Sequence, residues 1–214
     1  MPLFLRHTEP FGMWGIWKTE ETIDELLALL PHDAPYRTDI LRFGALHRRQ
    51  EWLAVRMLLY TLLGEEKTIA YLSGGKPYLS DHTHTIGISH TGGYVAVIVG
   101  APRGNVSIDI EQYGERVHRV AHKFMRPDES VPSYCGTDTW SLLLHWSAKE
   151  TLFKSLNTPE VDFREHLRIM PFEPSASGTF AAREYRTPQQ RQYTVYYRIF
   201  EEFVLTWINE EENT

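Results

Sequence analysis

The chain has 214 residues, of which 42% are hydrophobic and 23% are charged, and its formal net charge is -6. These values are typical of a globular protein with one good core, or with two small halves that share a core. Six Trp, 11 Tyr and 10 Phe argue against disorder. The negative net charge argues against a nucleic-acid partner bound through a global positive field.

Cysteine content and apolar runs restrict the cellular compartment. Cys135 is the only cysteine, which excludes a disulfide framework and a cysteine-based zinc site within the chain and fits a reducing cytosol. The first seven residues lack the pattern of a secretory signal, and no uninterrupted apolar run is long enough to span a bilayer. We therefore expect a cytoplasmic protein without a membrane segment.

Hydrophobic spacing and turn residues predict the elements of the first half. The clearest is a helix over residues 46–63, which Gly64 would end. A polar stretch around Pro35 precedes it, and the run Gly74 to Pro77 must be a turn or loop. The other predictions are a strand at 11–17, a helix from Thr19 or Glu20 to Pro31, a strand at 69–72, and a hairpin of 86–89 and 94–99 around 90–93.

The second half repeats this order of elements loosely. Pro102 and Gly104 mark a crossover, so we place the boundary between residues 1–104 and residues 105–214. The pattern predicts an α+β fold of two similar α/β halves in a pseudo-twofold arrangement, each with an antiparallel sheet and a long packed helix. The predicted elements are a strand around Asp109, a helix over 115–126, a long helix over 140–156, and antiparallel strands at 178–185, 192–200 and 203–208.

Two segments of the second half carry the residues of chemical interest. If 107–111 is a strand, Asp109 and Glu111 leave one face while Ile108 and Ile110 pack on the other. If 146–154 is a helix, Glu150 and Lys154 lie one turn apart. Either segment alone fits a polar edge strand or a surface ion pair. Together they favour a site for a divalent cation that carries phosphates, because Asp and Glu are unusual on an otherwise apolar strand.

The predicted helix at 115–126 is locally basic. Arg116, Arg119, Lys123 and Arg126 would fall near one face, opposite an apolar face. In isolation, this pattern is typical of a solvated amphipathic helix, and the alternative is a docking surface for an acidic partner.

Four short motifs occur in order along the chain. They are Gly75-Lys76-Pro77, then residues 88–91 (Ile-Ser-His-Thr), then 108–111 (Ile-Asp-Ile-Glu), then 146–150 (Trp-Ser-Ala-Lys-Glu) with Lys154. Together they resemble the signature of the 4′-phosphopantetheinyl transferases, in particular the longer, pseudodimeric type that activates surfactin synthetase and other peptide and polyketide synthases. Members of this family transfer phosphopantetheine from coenzyme A to a serine of an acyl or peptidyl carrier protein, with magnesium, and release adenosine 3′,5′-bisphosphate.

The resemblance implies roles for particular residues. Asp109, Glu111 and Glu150 would hold magnesium on the pyrophosphate of the co-substrate coenzyme A, and Lys154 would bind a pyrophosphate oxygen. Asp109, Glu150 and Lys154 are thus the expected catalytic residues. Either Glu150 or a metal-bound water would take the proton of the carrier serine.

The resemblance also implies where the substrates bind. Coenzyme A would lie in the cleft between the two halves and would contact Lys76, Pro77, Ser89, His90, Asp109 and Lys154, with Arg49 and Arg56 on its 3′-phosphate. The basic face of Arg116, Arg119 and Lys123 would dock the acidic carrier protein. Since the two halves are joined covalently, we expect a monomer.

Two other functions remain compatible with the sequence. An Asp, a Glu and a Glu-x-x-x-Lys helix also resemble the site of a metal-dependent nuclease or phosphodiesterase, although the acidic net charge argues against it. A non-catalytic module that binds coenzyme A or a carrier is the second alternative.

Overall fold

The computed structural model describes residues 3–10, 12–156 and 158–210 as a mixed α/β protein with antiparallel sheets. The chain divides into two compact units, the first ending at Gly104 and the second comprising Asn105–Glu210. Phe11 of the predicted strand at 11–17 and residues 211–214 of the predicted second half lie outside the described residues. Within the described part of the chain, no helix is long and apolar enough to cross a membrane.

The first unit contains a four-stranded antiparallel sheet in the order β1-β2-β6-β5 and a small β3-β4 pair. Strand β1 was not predicted. The elements are β1 (Leu3–Glu9), β2 (Gly12–Lys18), α1 (Ile23–Leu29), α2 (Asp33–Asp39), α3 (Leu46–Leu63), β3 (Ile69–Tyr71), β4 (Pro77–Leu79), β5 (Thr85–Thr91) and β6 (Tyr94–Gly100).

Helix α3 forms the centre of the first core. It has the predicted bounds, because Gly64 ends it in the left-handed region at φ 73°. Its side chains from Trp52 to Leu59 are buried, and the core that they share includes Leu26 of α1 and Val97 of β6.

The segment between α1 and α3 is more regular than predicted. Helix α1 begins later than expected, after Thr22, whose hydroxyl and the Glu25 carboxylate form a capping box. The stretch around Pro35 is helix α2 rather than an irregular polar segment. Proline is tolerated here because it lies in the first turn, where its missing N–H would have no intrahelical partner.

The second unit is one five-stranded antiparallel sheet in the order β7-β11-β10-β9-β8, with helix α5 packed on β7 and β11. The strands predicted at 178–185, 192–200 and 203–208 are present, whereas α6 and β8 were not predicted. The elements are β7 (Asn105–Gln112), α4 (Arg116–Val120), α5 (Thr139–Leu156), α6 (Phe163–His166), β8 (Leu167–Ile169), β9 (Ser177–Glu184), β10 (Gln192–Ile199) and β11 (Phe203–Glu210).

Two local predictions were wrong. The basic segment is not one helix over 115–126, because α4 ends at Val120 and a 3₁₀ turn, Ala121–Lys123, follows it. Burial of both Val117 and Phe124 draws the two pieces onto the core. The hairpin turn is Gly92-Gly93 alone, so His90 belongs to strand β5 instead of the turn.

Candidate active site

Strand β7 and helix α5 are locked together by a buried set of hydroxyl groups. Asp109 pairs in register with Thr206 of β11. The Thr206 hydroxyl lies 2.9 Å from that of Ser147 and 2.7 Å from that of Thr151, both on α5. These contacts fix the position of α5 along β7, and therefore the distance between the two predicted carboxylate segments.

Few side chains of α5 remain accessible after the helix has packed. From Ser141 to Ser155 every residue is buried except Trp146, Glu150, Phe153 and Lys154. Three of these positions follow each other at intervals of four, which places them on the same face of the helix. The helix therefore presents an indole, a carboxylate and an ammonium group beside strand β7.

Lys154 makes an ion pair with Asp109. Its Nζ donates to Asp109 Oδ1 at 2.6 Å and to the Ile108 carbonyl oxygen at 3.4 Å. The Asp109 side chain is almost fully buried, whereas that of Lys154 is one-third exposed. Lys154 thus compensates the buried carboxylate and keeps part of its ammonium group accessible.

Glu111 is held by a different partner on the same helix. The indole Nε1 of Trp146 donates to Glu111 Oε1 at 2.8 Å. The two carboxylates of β7 are therefore both tied to α5, Asp109 by Lys154 and Glu111 by Trp146.

The carboxylates interact electrostatically. Burial, with the negative charge of Asp109 as a smaller cause, raises the pKa of Glu150 from its ordinary 4.5 to about 7. The same two causes, and in addition the charge of Glu150, raise the pKa of Glu111 to about 7, against the hydrogen bond from Trp146. The site thus concentrates more negative charge than Lys154 neutralises.

The donor set has the chemistry of a site for a hard cation. Carboxylate oxygens are the ligands that magnesium prefers, and their mutual repulsion, seen in the raised pKa values, is what a cation would relieve. Among the described residues, no group of three or more His, Cys, Asp or Glu side chains is gathered closely enough to hold a metal ion by itself. Magnesium commonly uses one or two carboxylates and completes its shell with water and substrate phosphates, so the set fits magnesium brought with a phosphate ligand.

Next to Glu150 on the helix, Lys149 is fully buried. Its Nζ donates to Glu129 Oε2 at 2.8 Å and to the carbonyl oxygens of Phe124 at 2.6 Å and Phe163 at 3.2 Å. Glu129 also accepts from the backbone N–H groups of Arg126 and Ile169. This satisfied buried pair joins α5 to the end of the basic segment.

The basic segment itself is accessible. Arg116, Arg119 and Lys123 are exposed, and within the part of the chain that the structure describes none of them makes an ion pair or a hydrogen bond. Arg126 differs from them, since it pairs with Asp128 and donates to the carbonyl oxygens of Arg164 and Glu165. Three cations thus remain available on this surface.

In the first unit, His90 lies in a small charged cluster. Arg48 Nη1 is 3.0 Å from His90 Nε2 and 3.1 Å from Glu51 Oε2, and His90 Nδ1 is 3.8 Å from Glu51 Oε1. Ser89, the next residue of β5, is buried. The structure therefore brings Arg48, rather than the predicted Arg49 or Arg56, next to His90.

Arg49 and Arg56 have structural partners. Arg49 Nε donates to the Phe43 carbonyl oxygen at 2.7 Å. Arg56 is buried, donates to the Trp52 carbonyl oxygen at 2.9 Å, and stacks its guanidinium 3.2 Å from the centroid of the Trp52 ring. Burial lowers its pKa to about 10.

Lys76 and Pro77 lie at the start of β4, after Gly75 with φ 85°. Both are half-buried, and burial lowers the pKa of Lys76 below its ordinary value. A half-buried lysine next to a glycine turn has the chemistry of an anion ligand.

Comparison with known families gives one match. Residues 105–208 match the family model of the 4′-phosphopantetheinyl transferase superfamily. The match is consistent, for the second unit, with the superfamily that the motifs resemble, whose members transfer phosphopantetheine. The matched residues include Asp109, Glu111, Glu150 and Lys154 but neither Gly75–Pro77 nor 88–91. No curated protein matches the chain.

Sequence reasoning did not assign a role to Trp146, Lys149 or Glu129. Trp146 carried a usable signal, since it precedes Glu150 by four residues and so shares its face of the helix. Glu129 carried none, because its pairing with Lys149 joins positions 20 residues apart through a loop.

The buried pair should dominate the stability of the second unit. Lys149→Met leaves the Glu129 carboxylate buried without a cation, which we expect to lower the free energy of unfolding by about 3–5 kcal/mol. Urea denaturation would measure it, with the exposed Lys123→Met as a control that changes stability by less than about 0.5 kcal/mol. A loss below about 1 kcal/mol for Lys149→Met would contradict the interpretation.

The raised pKa of Glu150 predicts a pH-dependent effect on stability. A carboxyl whose pKa is higher in the folded state stabilises the fold while it is protonated, and this contribution is lost as the pH rises through about 7. Without divalent cations, Glu150→Gln should therefore match wild type near pH 4.5 and exceed its stability at pH 8, by up to about 3 kcal/mol.

The measurement is urea denaturation of both proteins in EDTA at the two pH values. Glu201→Gln, at an exposed position, is the control and should give the same difference at both. A pH-independent effect of Glu150→Gln would show that the Glu150 carboxyl is not shifted.

Proposed function

We propose that the protein transfers 4′-phosphopantetheine from coenzyme A to a serine of an acyl or peptidyl carrier protein, with magnesium, and releases adenosine 3′,5′-bisphosphate. The observation that carries the proposal is the accessible face of α5 beside β7. Glu150 and Lys154 of α5 lie there beside Asp109 and Glu111 of β7, within the unit that matches the superfamily model.

The four side chains have complementary roles in this proposal. Asp109, Glu111 and Glu150 would hold magnesium, which, when bound, neutralises charge on the pyrophosphate as the phosphoanhydride breaks. Lys154, one-third exposed and paired with Asp109, would attract a pyrophosphate oxygen as a compact positive charge. In this proposal Asp109 binds the metal ion and Lys154 binds the pyrophosphate.

Glu150 is the best proton acceptor among the carboxylates. In the protein without a cation, burial raises its pKa to about 7. A bound magnesium ion would lower this pKa, so the oxygen of Glu150 that does not contact the metal would take the proton. In the described residues its carboxylate accepts no hydrogen bond, whereas Glu111 Oε1 accepts one from Trp146. We therefore assign to Glu150 the proton of the carrier serine.

For coenzyme A, we propose contacts from the first unit through Lys76, Pro77, Ser89 and His90, with Arg49 and Arg56 on the 3′-phosphate. The structure supports Arg48 as a further candidate for this phosphate, because it is exposed and adjacent to His90. Arg56 is the weakest of the arginines, since Trp52 already occupies its guanidinium.

The function is tested by the mass of a carrier protein. The purified protein, coenzyme A and magnesium chloride are mixed with a panel of apo-carriers, and wild type should add one phosphopantetheine arm to at least one of them. Asp109→Ala and Glu150→Ala should slow the transfer by about a thousandfold or more. Each variant removes a ligand of the magnesium ion that would neutralise charge on the pyrophosphate.

Circular dichroism would show that both variants keep the fold. If no carrier gains mass with wild type, or if Asp109→Ala works as well as wild type, the proposal is wrong. Cleavage of plasmid DNA under the same conditions would favour the nuclease alternative instead.

For the carrier, we propose docking on Arg116, Arg119 and Lys123. Reversing two charges, in Arg116→Glu with Arg119→Glu, should raise the KM for the carrier at least about fivefold at low ionic strength and less at high salt. The KM for coenzyme A should not change. Arg198→Glu, an exposed charge on β10, is the control. Equal carrier KM values for the double variant and the control would exclude this docking surface.

A further inference from the structure

Trp146 has a polar contact that the proposed chemistry leaves unexplained. Its indole N–H reaches from helix α5 to strand β7 and donates to Glu111 Oε1 at 2.8 Å. Most residues of α5 that face the sheet are apolar or carry small hydroxyls, so a tryptophan directed at a carboxylate is a specific arrangement.

The indole is held in place by aromatic neighbours. Its ring centroid lies 5.2 Å from that of Phe124, at 59°, and 5.5 Å from that of Phe163, at 40°. Phe124 is fully buried. Because two rings from different segments hold the indole, its N–H has a fixed direction before any substrate arrives.

Glu111 needs such a partner more than Asp109 does. Lys154 forms an ion pair with Asp109, while Glu111 lies two residues further along the same face of β7 with the charge of Asp109 close to it. Without a donor, repulsion would turn the Glu111 side chain away from the other carboxylates. The indole bond to Oε1 opposes this and leaves Oε2 for another ligand.

We propose that Trp146 is a positioning residue that holds Glu111 in the orientation in which it binds a divalent cation. The inference rests on the proposed function, since it concerns the same cation site. Partners that hydrogen-bond a metal-binding carboxylate orient it, and their loss commonly weakens metal binding by about tenfold or more.

The test removes the N–H and keeps the ring. Trp146→Phe should raise the dissociation constant for Mn²⁺, measured by electron paramagnetic resonance with coenzyme A present, by about tenfold. It should raise the magnesium concentration that half-saturates carrier modification by a similar factor and leave the carrier KM unchanged. Trp140→Phe, on the same helix and packed against Tyr113, is the matched control and should change the Mn²⁺ constant less than about twofold.

A second background separates positioning from a general loss of structure. In Glu111→Gln, Trp146→Phe should cause no further loss of Mn²⁺ binding, whereas a purely structural effect would appear in both backgrounds. Equal Mn²⁺ affinities for Trp146→Phe and Trp140→Phe, or an unchanged effect in Glu111→Gln, would overturn the inference. Failure of wild type to modify any carrier would instead overturn the proposed function. The Mn²⁺ affinities test the role of Trp146 separately, because they are measured without a carrier.

Discussion

The burial of helix α5 against β7 and β11 is the constraint on which the second unit depends. Once its apolar and hydroxyl-bearing faces are packed, few side chains remain accessible, and three of them, Trp146, Glu150 and Lys154, lie on one face. The hydroxyl contacts of Thr206 with Ser147 and Thr151 determine the position of α5 along β7, and therefore which residues of the helix lie beside Asp109 and Glu111. Packing thus determines which polar groups meet the carboxylates of β7.

This arrangement of carboxylates lowers the stability of the folded protein. Two glutamates with pKa values near 7 lie beside a buried aspartate, and a single lysine compensates them. A protein selected only for stability would replace these residues with apolar side chains of similar size. Strongly shifted carboxylates that are still accessible are more common where a ligand or a proton has to be bound.

Much of this could be predicted from local pattern. Alternation identified β7, and apolar spacing identified α3 and α5, because these elements are long and their periodicity is strong. The pairing of Lys154 with Asp109, in contrast, joins residues 45 positions apart, and Glu129 meets Lys149 through a loop. Such contacts depend on register and loop path, which sequence periodicity does not contain. Helix α2 was not predicted because the stretch around Pro35 is polar and short, so it has no apolar periodicity.

The supports of the site converge on the basic segment. The ring of Phe124 packs on Trp146, and its carbonyl oxygen accepts a hydrogen bond from Lys149. The segment that carries Arg116, Arg119 and Lys123 therefore ends at Phe124, which contacts both Trp146 and Lys149 of α5. The contact between Phe124 and Trp146 therefore joins the basic segment to the side chain that hydrogen-bonds Glu111.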